Sequence, residues 1–494
     1  MRNMQAIAGT FGHLDNPLVK SMLDKIKHRG KDRRDVRVGD RTVVGAGVAD
    51  AETGERMKPI VEDDGLAVVS DSYILNKDHL RRTFLKTVER DMSDAELVLR
   101  LYRAIGTRLF EYLDGAFAIA ICDNDRLILA RDRYGIKPLY MSGGLNLGSF
   151  SSEMKSQILA HEEFAPFPPG KFMIQGEGYF SISWLPASAE DTVSNVDPPT
   201  AVRDLLIASV RGCVRDSERI NVLLSGGIDS SAVAAAATAV CPNIRSACVG
   251  VEGSVDIDMA RRVSDNLGTD HVERIYGADD MMKILDDVIY AAESYDFPLI
   301  RSCIPNYMAT KLLCGDTRVT LCGEGGDELF SGYDHMREIG NDDELRAERI
   351  SLLESCHNTG FQRVDRMTAT WSLDGRVPLM SMRIVNFALS LDMSELIDQD
   401  GMNNKLVLRK AFARSLPPEV VWRRKQRFSD GAGSMYILAK IADEVISDKE
   451  FEVEKAASPP GRIRTKEEAL YFRCFRHRFD SPSAFVAAGT THRP

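Results

Sequence analysis

One short segment constrains this chain more than any other, because it places glycines, hydroxyls and a carboxylate where a strand meets a helix. It reads Leu224-Ser225-Gly226-Gly227-Ile228-Asp229-Ser230-Ser231. The apolar run 220–224 predicts a buried strand before it, and the alanine-rich run 232–237 predicts a helix after it. Glycines let a ligand approach the backbone closely, and a helix N-terminus presents free N–H groups to an anion. The segment therefore predicts a phosphate-binding loop in an α/β fold.

The loop also implies a cation. Asp229 would repel phosphate unless a positive ion bridges the two groups, so Mg²⁺ is expected beside it. Ser225, Ser230 and Ser231 add hydroxyl donors. Because no Gly-Lys-Ser/Thr follows, this is not the Walker-type loop. The alternative is a plain strand–turn–helix junction without a ligand.

A second motif, Cys322-Gly323-Glu324-Gly325-Gly326-Asp327-Glu328, follows a candidate strand at 318–321. Ligands bind at the strand ends of open parallel sheets. The three carboxylates repel one another unless cations or hydrogen bonds compensate. Since Asp229 is available as a further ligand, a metal–pyrophosphate site is favoured over an acidic surface turn.

A third motif, Arg424-Lys425-Gln426-Arg427-Phe428-Ser429-Asp430-Gly431, is basic. An ATP-cleaving site needs a cation against the charge that develops on the α-phosphate, and this motif could supply it. The alternative is an exposed basic turn, since runs of charge are usually solvated.

Composition excludes several classes of protein. The 494 residues carry 73 acidic and 63 basic side chains, a net charge of −10, which disfavours a nucleic-acid binder. No apolar run is long enough for a transmembrane helix, and the N-terminus lacks a signal-peptide core, so we expect a cytoplasmic protein. The nine cysteines include no Cys-x-x-Cys pair, which argues against disulfides or structural zinc. Cys474 and His477 lie three apart without a second pair.

The chain divides into two predicted domains, 1–195 and 196–494. Proline, serine and acidic residues cluster at 185–200 without hydrophobic periodicity, as in a linker. The first domain shows short apolar runs between turn signals, which predicts a sheet-based core. The second begins with a strand–helix–strand unit, which predicts a parallel sheet, and continues as mostly helical sequence.

The three motifs, in this order, resemble the synthetase domain of the asparagine synthetase family, and the likeness covers most of residues 200–485. The stretches 250–256, 293–302 and 405–409 agree with it. The resemblance implies an α-rich domain around a parallel sheet with a pyrophosphate loop, ATP and Mg²⁺ as cofactors, and a homodimer. It also implies an acyl-adenylate formed from a small carboxylate and attacked by ammonia or a small amine.

Site roles follow from the same resemblance. The residues implied to contact the nucleotide are Leu224, Val249, Cys322 and Gly323. Those implied to hold pyrophosphate are Ser225, Gly226, Gly227 and Ser230. Asp229 and Asp327 would ligate Mg²⁺, and Lys425 would stabilise the adenylation transition state. Glu324 matches the carboxylate that takes a proton from the attacking amine.

The N-terminal half resembles the class II glutamine amidotransferase domain through the segments 111–118, 130–140 and 151–155. A four-layer α-β-β-α sandwich of the Ntn type is implied. Gln5 stands where that family has its nucleophilic cysteine, and Asp71-Ser72 replaces its Asn-Gly oxyanion pair. Glutamine has no thiolate, and a carboxylate repels an oxyanion. We therefore predict a degenerate domain without glutaminase activity, although His28 and Arg29 are still present.

Several readings of the function remain open. The leading one is a glutamine-independent carbon–nitrogen ligase that acts on aspartate or a close analogue with ammonia. A relative from specialised metabolism, making another amide, a hydrazide or a lactam, is favoured by Ser381, which replaces the family's aspartate in 374–381. In both, Arg376 is expected to be available for a substrate carboxylate. A non-catalytic binding protein and a tRNA-modifying pyrophosphatase are further alternatives, the second disfavoured by the acidic balance.

Overall fold

The computed structural model describes most of the chain. The described residues are 4–49, 58–87, 92–160, 163–183, 196–215, 217–315, 317–398, 403–424 and 435–490. The predicted domain boundary near residue 195 and the predicted catalytic Lys425 lie outside them.

The first half of the chain forms two six-stranded antiparallel sheets. One has the order β10-β8-β9-β1-β3-β2 and contains β1 (Met4–Phe11), β2 (Arg33–Val38), β3 (Thr42–Ala49), β8 (Tyr140–Gly143), β9 (Gly148–Ser151) and β10 (Phe164–Pro166). The other has the order β12-β11-β7-β6-β5-β4 and contains β4 (Val61–Asp63), β5 (Leu66–Ile74), β6 (Gly115–Asp123), β7 (Arg126–Arg131), β11 (Lys171–Ile174) and β12 (Gly178–Ser181).

Helices cover the outer faces of both sheets. They are α1 (Asn16–Lys25), α2 (Lys77–Leu80), α3 (Asp94–Ile105), α4 (Leu109–Tyr112) and α5 (Met154–Gln157). Alternation along β1 sends Ala6 and Ala8 toward α1 and Ile7 toward the second sheet, as the two-residue period of a strand requires. On the far side, α3 packs its Leu97 and Leu101 onto the second sheet. The expected α-β-β-α sandwich is confirmed.

The second half contains a five-stranded parallel sheet of order β15-β14-β13-β16-β17. Its strands are β13 (Arg219–Leu223), β14 (Asn243–Gly250), β15 (Asp270–Ile275), β16 (Val319–Leu321) and β17 (Asp374–Arg376). The predicted strand–helix–strand unit is confirmed as β13, α7 (Ile228–Thr238) and β14. Because all five strands are parallel, the loops that follow β13, β14 and β16 meet at one edge of the sheet.

The remaining helices surround this sheet. They are α6 (Pro198–Val214), α8 (Val255–Leu267), α9 (Ala278–Ala292), α10 (Phe297–Leu312), α11 (Gly326–Leu329), α12 (Asp342–Ser355), α13 (Gly360–Thr370), α14 (Met382–Ser390), α15 (Met393–Leu396), α16 (Leu406–Phe412), α17 (Pro418–Val421), α18 (Met435–Val445), α19 (Asp448–Ala457), α20 (Lys466–Arg478) and α21 (Pro482–Ala487). Of these, α13 lies between the sheet and the N-terminal half, where its Asp365 pairs with Arg29. It packs against α10 and β17.

Three expectations drawn from composition concern the whole chain. All nine cysteines are free thiols. Within the described ranges, no helix has the length and apolar character needed to cross a membrane. The same residues contain no group of three or more side chains arranged to hold a metal, so the spacing of Cys474 and His477 gains no second pair.

Candidate active site

The loop after β13 is tightly folded against its neighbours. Gly226 has a positive φ of 66°, and a Cβ there would lie 2.5 Å from Met259 Cβ and 2.6 Å from Ala260 N. Ser225 N donates to Ser230 Oγ at 3.1 Å, which fixes the two ends of the loop. Gly227 is the N-cap of α7 and provides no side-chain hydrogen bond to it. The first N–H groups of α7 thus lack a side-chain cap, as an anion-binding helix end requires.

The loop that follows β16 lies directly against the first loop. A Cβ on Gly323 would lie 2.7 Å from Ser230 N, and one on Gly326 would lie 2.4 Å from Asp229 Oδ1. A side chain at either glycine would clash with the first loop, so these glycines allow the two motifs to pack against each other. The predicted convergence of the two motifs is observed, with Asp229 and Asp327 on the same side of the sheet edge.

A buried lysine that the sequence did not single out joins the two aspartates. Lys405 Nζ lies 2.6 Å from Asp327 Oδ1 and also pairs with Asp229. Burial lowers the pKa of Lys405, but the nearby carboxylates of Asp229 and Asp327 outweigh burial and raise that pKa above its usual value. Lys405 is 176 residues from Asp229 along the chain, so no local pattern announces the contact. The site therefore has one fixed positive charge of its own.

The two carboxylates fit a divalent cation. Asp229 Oδ1 is a buried oxygen with no hydrogen-bond partner among the described residues. A pair of aspartates that shares one ammonium retains net negative charge, and Mg²⁺ is usually bound by one or two carboxylates together with substrate phosphates. Asp229 and Asp327 are therefore the residues that would hold Mg²⁺ here.

Glu324 lies three residues before Asp327, in the loop before α11, and pairs with an arginine of α13. Arg363, on α13, forms an ion pair with Glu324. Burial opposes the charge on Arg363, but Glu324 outweighs it and raises the pKa of the guanidinium. A Cβ on Gly360 would lie 3.1 Å from Glu324 Cγ, so the start of α13 also touches this side chain. Sequence reasoning missed Arg363, which no motif marks.

The residues expected to contact the nucleotide lie at the ends of adjacent strands. Leu224 N donates to Ala247 O at 3.0 Å, and Cys322 N donates to Arg376 O at 3.0 Å. Burial raises the pKa of the Cys322 thiol well above its usual range, so this side chain is a neutral wall. Val249 lies near the end of β14, the strand beside β13. Nucleotide contact by these residues stays a prediction.

The expectation that Arg376 is available to a substrate is wrong. Its side chain is buried, with Nε 2.8 Å from Asp374 Oδ2, and it also donates to the carbonyl of Cys213. Ser381 is the N-cap of α14, where it accepts a hydrogen bond from Ile384 N. In the stretch 374–381, Arg376 and Ser381 therefore both bond to other groups of the protein.

The pocket around Gln5 in the N-terminal half is lined by ion pairs. Gln5 is buried on β1, and its Oε1 has no hydrogen-bond partner within the described part of the chain. Asp71 lies 3.0 Å from Arg29 Nη1 and 3.1 Å from Lys137 Nζ. His28 Nε2 is 3.1 Å from Glu153 Oε1. The pocket has no thiol at position 5, and Asp71 is occupied by two cations.

Two family models match separate parts of the chain. A sequence model described as "Asparagine synthase" matches residues 201–341 and 335–479. One described as "Glutamine amidotransferase domain" matches residues 4–175.

Curated relatives match along nearly the whole chain. An asparagine synthetase [glutamine-hydrolyzing] from Sandersonia aurantiaca is 32% identical over 488 residues, 93% of each chain. The enzyme of the same name from Asparagus officinalis is 33% identical over 481 residues, 92% of this chain and 81% of that one. Asparagine synthetase B [glutamine-hydrolyzing] from Escherichia coli K12 is 30% identical over 491 residues, 93% of this chain and 87% of that one.

Proposed function

The chain belongs to the asparagine synthetase family, and from this membership we propose that it is a glutamine-independent carbon–nitrogen ligase. It activates a carboxylate, aspartate or a close analogue, as an acyl-adenylate. Ammonia or a small amine then attacks that adenylate to give an amide. ATP is the co-substrate, and AMP and pyrophosphate are the other products.

The observation that carries the proposal is the convergence of Asp229 and Asp327 at the uncapped end of α7. An anion bound at this helix end meets backbone N–H groups, the hydroxyls of the loop and the ammonium of Lys405. Mg²⁺, when bound by the two aspartates, would neutralise charge on the departing pyrophosphate. These groups match the needs of pyrophosphate release.

The chemistry divides between activation and amide formation. A carboxylate is a poor electrophile, so its oxygen first attacks the α-phosphorus of ATP, and the bond to pyrophosphate breaks. A neutral amine then attacks the acyl carbon and expels AMP. The amine loses a proton in this step, and Glu324 is the carboxylate placed to accept it. Arg363 pairs with Glu324 and orients its carboxylate, while Lys425 is the cation proposed to act on the α-phosphate.

Absence of glutaminase activity belongs to the same proposal. The matched relatives are named as glutamine-hydrolyzing, whereas this chain has Gln5 at the nucleophile position and Asp71 at the oxyanion position. A side-chain amide cannot form the thioester that covalent glutamine hydrolysis needs. The carboxylate of Asp71 would also oppose the negative charge of a tetrahedral intermediate.

The test is pyrophosphate release with ATP, Mg²⁺ and aspartate, measured with ammonium chloride, with glutamine and with no nitrogen source. Products are read by mass spectrometry. We expect asparagine with ammonium and none with glutamine. Asparagine formed from glutamine would refute the absence of glutaminase activity, and pyrophosphate absent under every condition with aspartate would remove aspartate as the substrate.

A second candidate is a synthetase of specialised metabolism that joins a different carboxylate to a different nitrogen nucleophile, or closes a lactam. The ion pair between Arg376 and Asp374 favours this second candidate, because a guanidinium bound to Asp374 is not free to bind a second carboxylate of the substrate. Ser381, used as a helix cap, gives no anionic contact either. Screening pyrophosphate release over a panel of carboxylates and amines, with Asp229→Ala as the negative control, separates the two candidates.

A further inference from the structure

A buried cluster of charges joins the two halves of the molecule, and we call it the interdomain ion network. It alternates basic and acidic side chains, five of each, that are almost completely shielded from solvent. The basic members are Arg29, Lys137, Lys155, Arg366 and Arg376, and the acidic members are Asp71, Glu153, Glu293, Asp365 and Asp374. Buried charges persist only when paired, so the balance is itself a structural requirement.

Asp71, at the position of the family's oxyanion group, lies where the network connects the two halves. Asp71, on β5, binds both Arg29 and Lys137. Arg29 continues to Asp365 on α13, and Lys137 continues to Asp374 on β17 at 3.1 Å. One N-terminal carboxylate thereby fixes two cations, each of which holds an element of the synthetase half.

A second arm of the network reaches the same helix from another direction. Arg366, next to Asp365, lies 2.9 Å from Glu293. Glu293 in turn accepts hydrogen bonds from Met154 N at 3.0 Å and Lys155 N at 2.7 Å, both at the start of α5. The helix α13 is therefore clamped to the N-terminal half at two successive residues.

The clamped helix is also the one that orients Glu324. Arg363 precedes Asp365 by two residues, and its guanidinium holds the Glu324 carboxylate. Any shift of α13 moves the partner of Glu324. Because proton acceptance depends on the distance and angle between base and amine, a small shift acts on amide formation more than on adenylation.

We propose that Asp71, acting through Arg29 and Lys137, is a positioning residue for Glu324 in the synthetase site. An asparagine could accept hydrogen bonds there but could not neutralise two buried cations. Asp71, whose carboxylate would oppose glutamine hydrolysis, thus holds α13 in its position relative to Glu324. This inference rests on the proposed function of Glu324.

The test compares Asp71→Asn with Gln5→Ala in the full-length protein. Gln5 is a matched control because it is buried in the same domain, at the position of the missing nucleophile, but makes none of the network contacts. Two quantities are measured, namely pyrophosphate released per amide formed and deuterium uptake by residues 360–370. We expect Asp71→Asn to raise the pyrophosphate-to-amide ratio about tenfold and to increase uptake in α13. Gln5→Ala should match the parent in both.

Charge compensation provides the rescue. Asp71→Asn combined with Lys137→Met removes one charge of each sign, while Asp374 keeps Arg376 at 2.6 Å. The double variant should return the ratio and the uptake toward the parental values, in a non-additive way that marks direct coupling. Defects that simply add in the double variant would contradict the proposal. The rescue also shows that Asp71→Asn is folded well enough to interpret.

The outcomes separate this inference from the function on which it rests. If Asp71→Asn lowers pyrophosphate release and amide formation in proportion, or leaves α13 uptake unchanged, the positioning role is overturned. If the parent releases no pyrophosphate with any carboxylate tested, the proposed function fails. In that case, the deuterium uptake of residues 360–370 in Asp71→Asn, compared with the parent, still decides whether Asp71 fixes α13.

Discussion

The loop beside α7 and the pocket beside β1 both contain ion pairs, but the carboxylates beside α7 are partly exposed and those of the pocket are buried. Beside α7, Asp229 and Asp327 share the single ammonium of Lys405, and Asp229 Oδ1 has no partner among the described residues. In the pocket, Asp71 faces two cations, and each of these cations faces a further carboxylate. Counted over Asp229, Asp327 and Lys405 alone, the first site has a charge of −1, whereas the five acidic and five basic side chains of the interdomain ion network balance.

Under the proposed function, this difference separates a site that binds a ligand from one whose charges hold the fold together. Unsatisfied, converging polar groups are unfavourable in the empty protein, and they persist where a substrate or cation completes them. Balanced ion pairs bind nothing further, because any entering group would first have to displace a partner. The pairing of the charges therefore agrees with the prediction, made from Gln5 and Asp71, that the two sites differ in activity.

The largest expected effect tests the first site. Asp229→Asn should lower the rate of ATP-dependent pyrophosphate release by about 10³-fold, because a neutral amide cannot replace the carboxylate that would hold Mg²⁺. Asp258→Asn, at an exposed acid on the neighbouring α8, is the matched control and should leave the rate unchanged. A loss shared by both variants would mean that overall negative charge, and not this carboxylate, matters.

The next effect tests the balance of the pocket. Arg29→Met should lower the free energy of unfolding by about 3–5 kcal/mol, since it leaves Asp71, Glu153 and Asp365 with fewer partners in a buried place. Arg34→Met breaks an exposed pair with Asp24 and should change stability by about 0.5 kcal/mol or less. Denaturant unfolding measures both, and equal effects would remove the distinction between scaffold and surface charges.

A third prediction concerns the division of labour inside the first site. Glu324→Gln should lower amide formation by about 10²-fold or more and leave pyrophosphate release within a few-fold of the parent, because the base acts after activation. Single-turnover mass spectrometry would show the acyl-adenylate accumulating. If both steps fall together, Glu324 belongs to activation.

A smaller effect is expected where the two halves meet. Burial, followed by the nearby charge of Arg131, lowers the pKa of His357 to about 4. The unfolded chain takes up this proton below about pH 6.5 while the folded protein does not, so stability falls as pH decreases from 6.5 toward 4. His357→Asn should remove about 1 kcal/mol of that loss between pH 6.5 and 5. Thermal unfolding over this range measures it, and identical pH profiles would contradict the assignment.

The smallest effect should be none at all. Gln5→Cys returns a thiol to the nucleophile position, but Asp71 would still repel an oxyanion. We expect no glutamate from glutamine above the parental background. Measurable hydrolysis would mean that the pocket is less closed than its ion pairs indicate.

Local patterns predicted the parts of the molecule that local sequence determines. The strand–loop–helix at 220–238 and the turn at 322–328 are contiguous in sequence, so composition and spacing were enough to place Asp229, Glu324 and Asp327 at one sheet edge. The sandwich followed from family resemblance, and the alternation along β1 explains it physically.

Contacts between distant segments were beyond such patterns. Arg363 and Lys405 complete the site from positions far along the chain. No motif marks Arg363, and the resemblance of 405–409 gave Lys405 no role. Arg376 was expected to face a substrate but is buried against Asp374. Glu293 begins a stretch that resembles the synthetase domain, and its side chain caps the backbone of α5 in the interdomain ion network. Lys425 stays a prediction.

The interdomain ion network has a consequence for the history of the gene. A copy that lost the codons for the first half would encode a protein with Asp365, Arg366 and Asp374 on a newly bared surface and the register of α13 unsupported. Selection on the second half alone would then preserve the first, even if the first half had lost its own reaction. A lineage that lost glutamine hydrolysis would therefore keep this half for as long as the second half depends on the buried charges, and mutation could change the nucleophile position but not those charges.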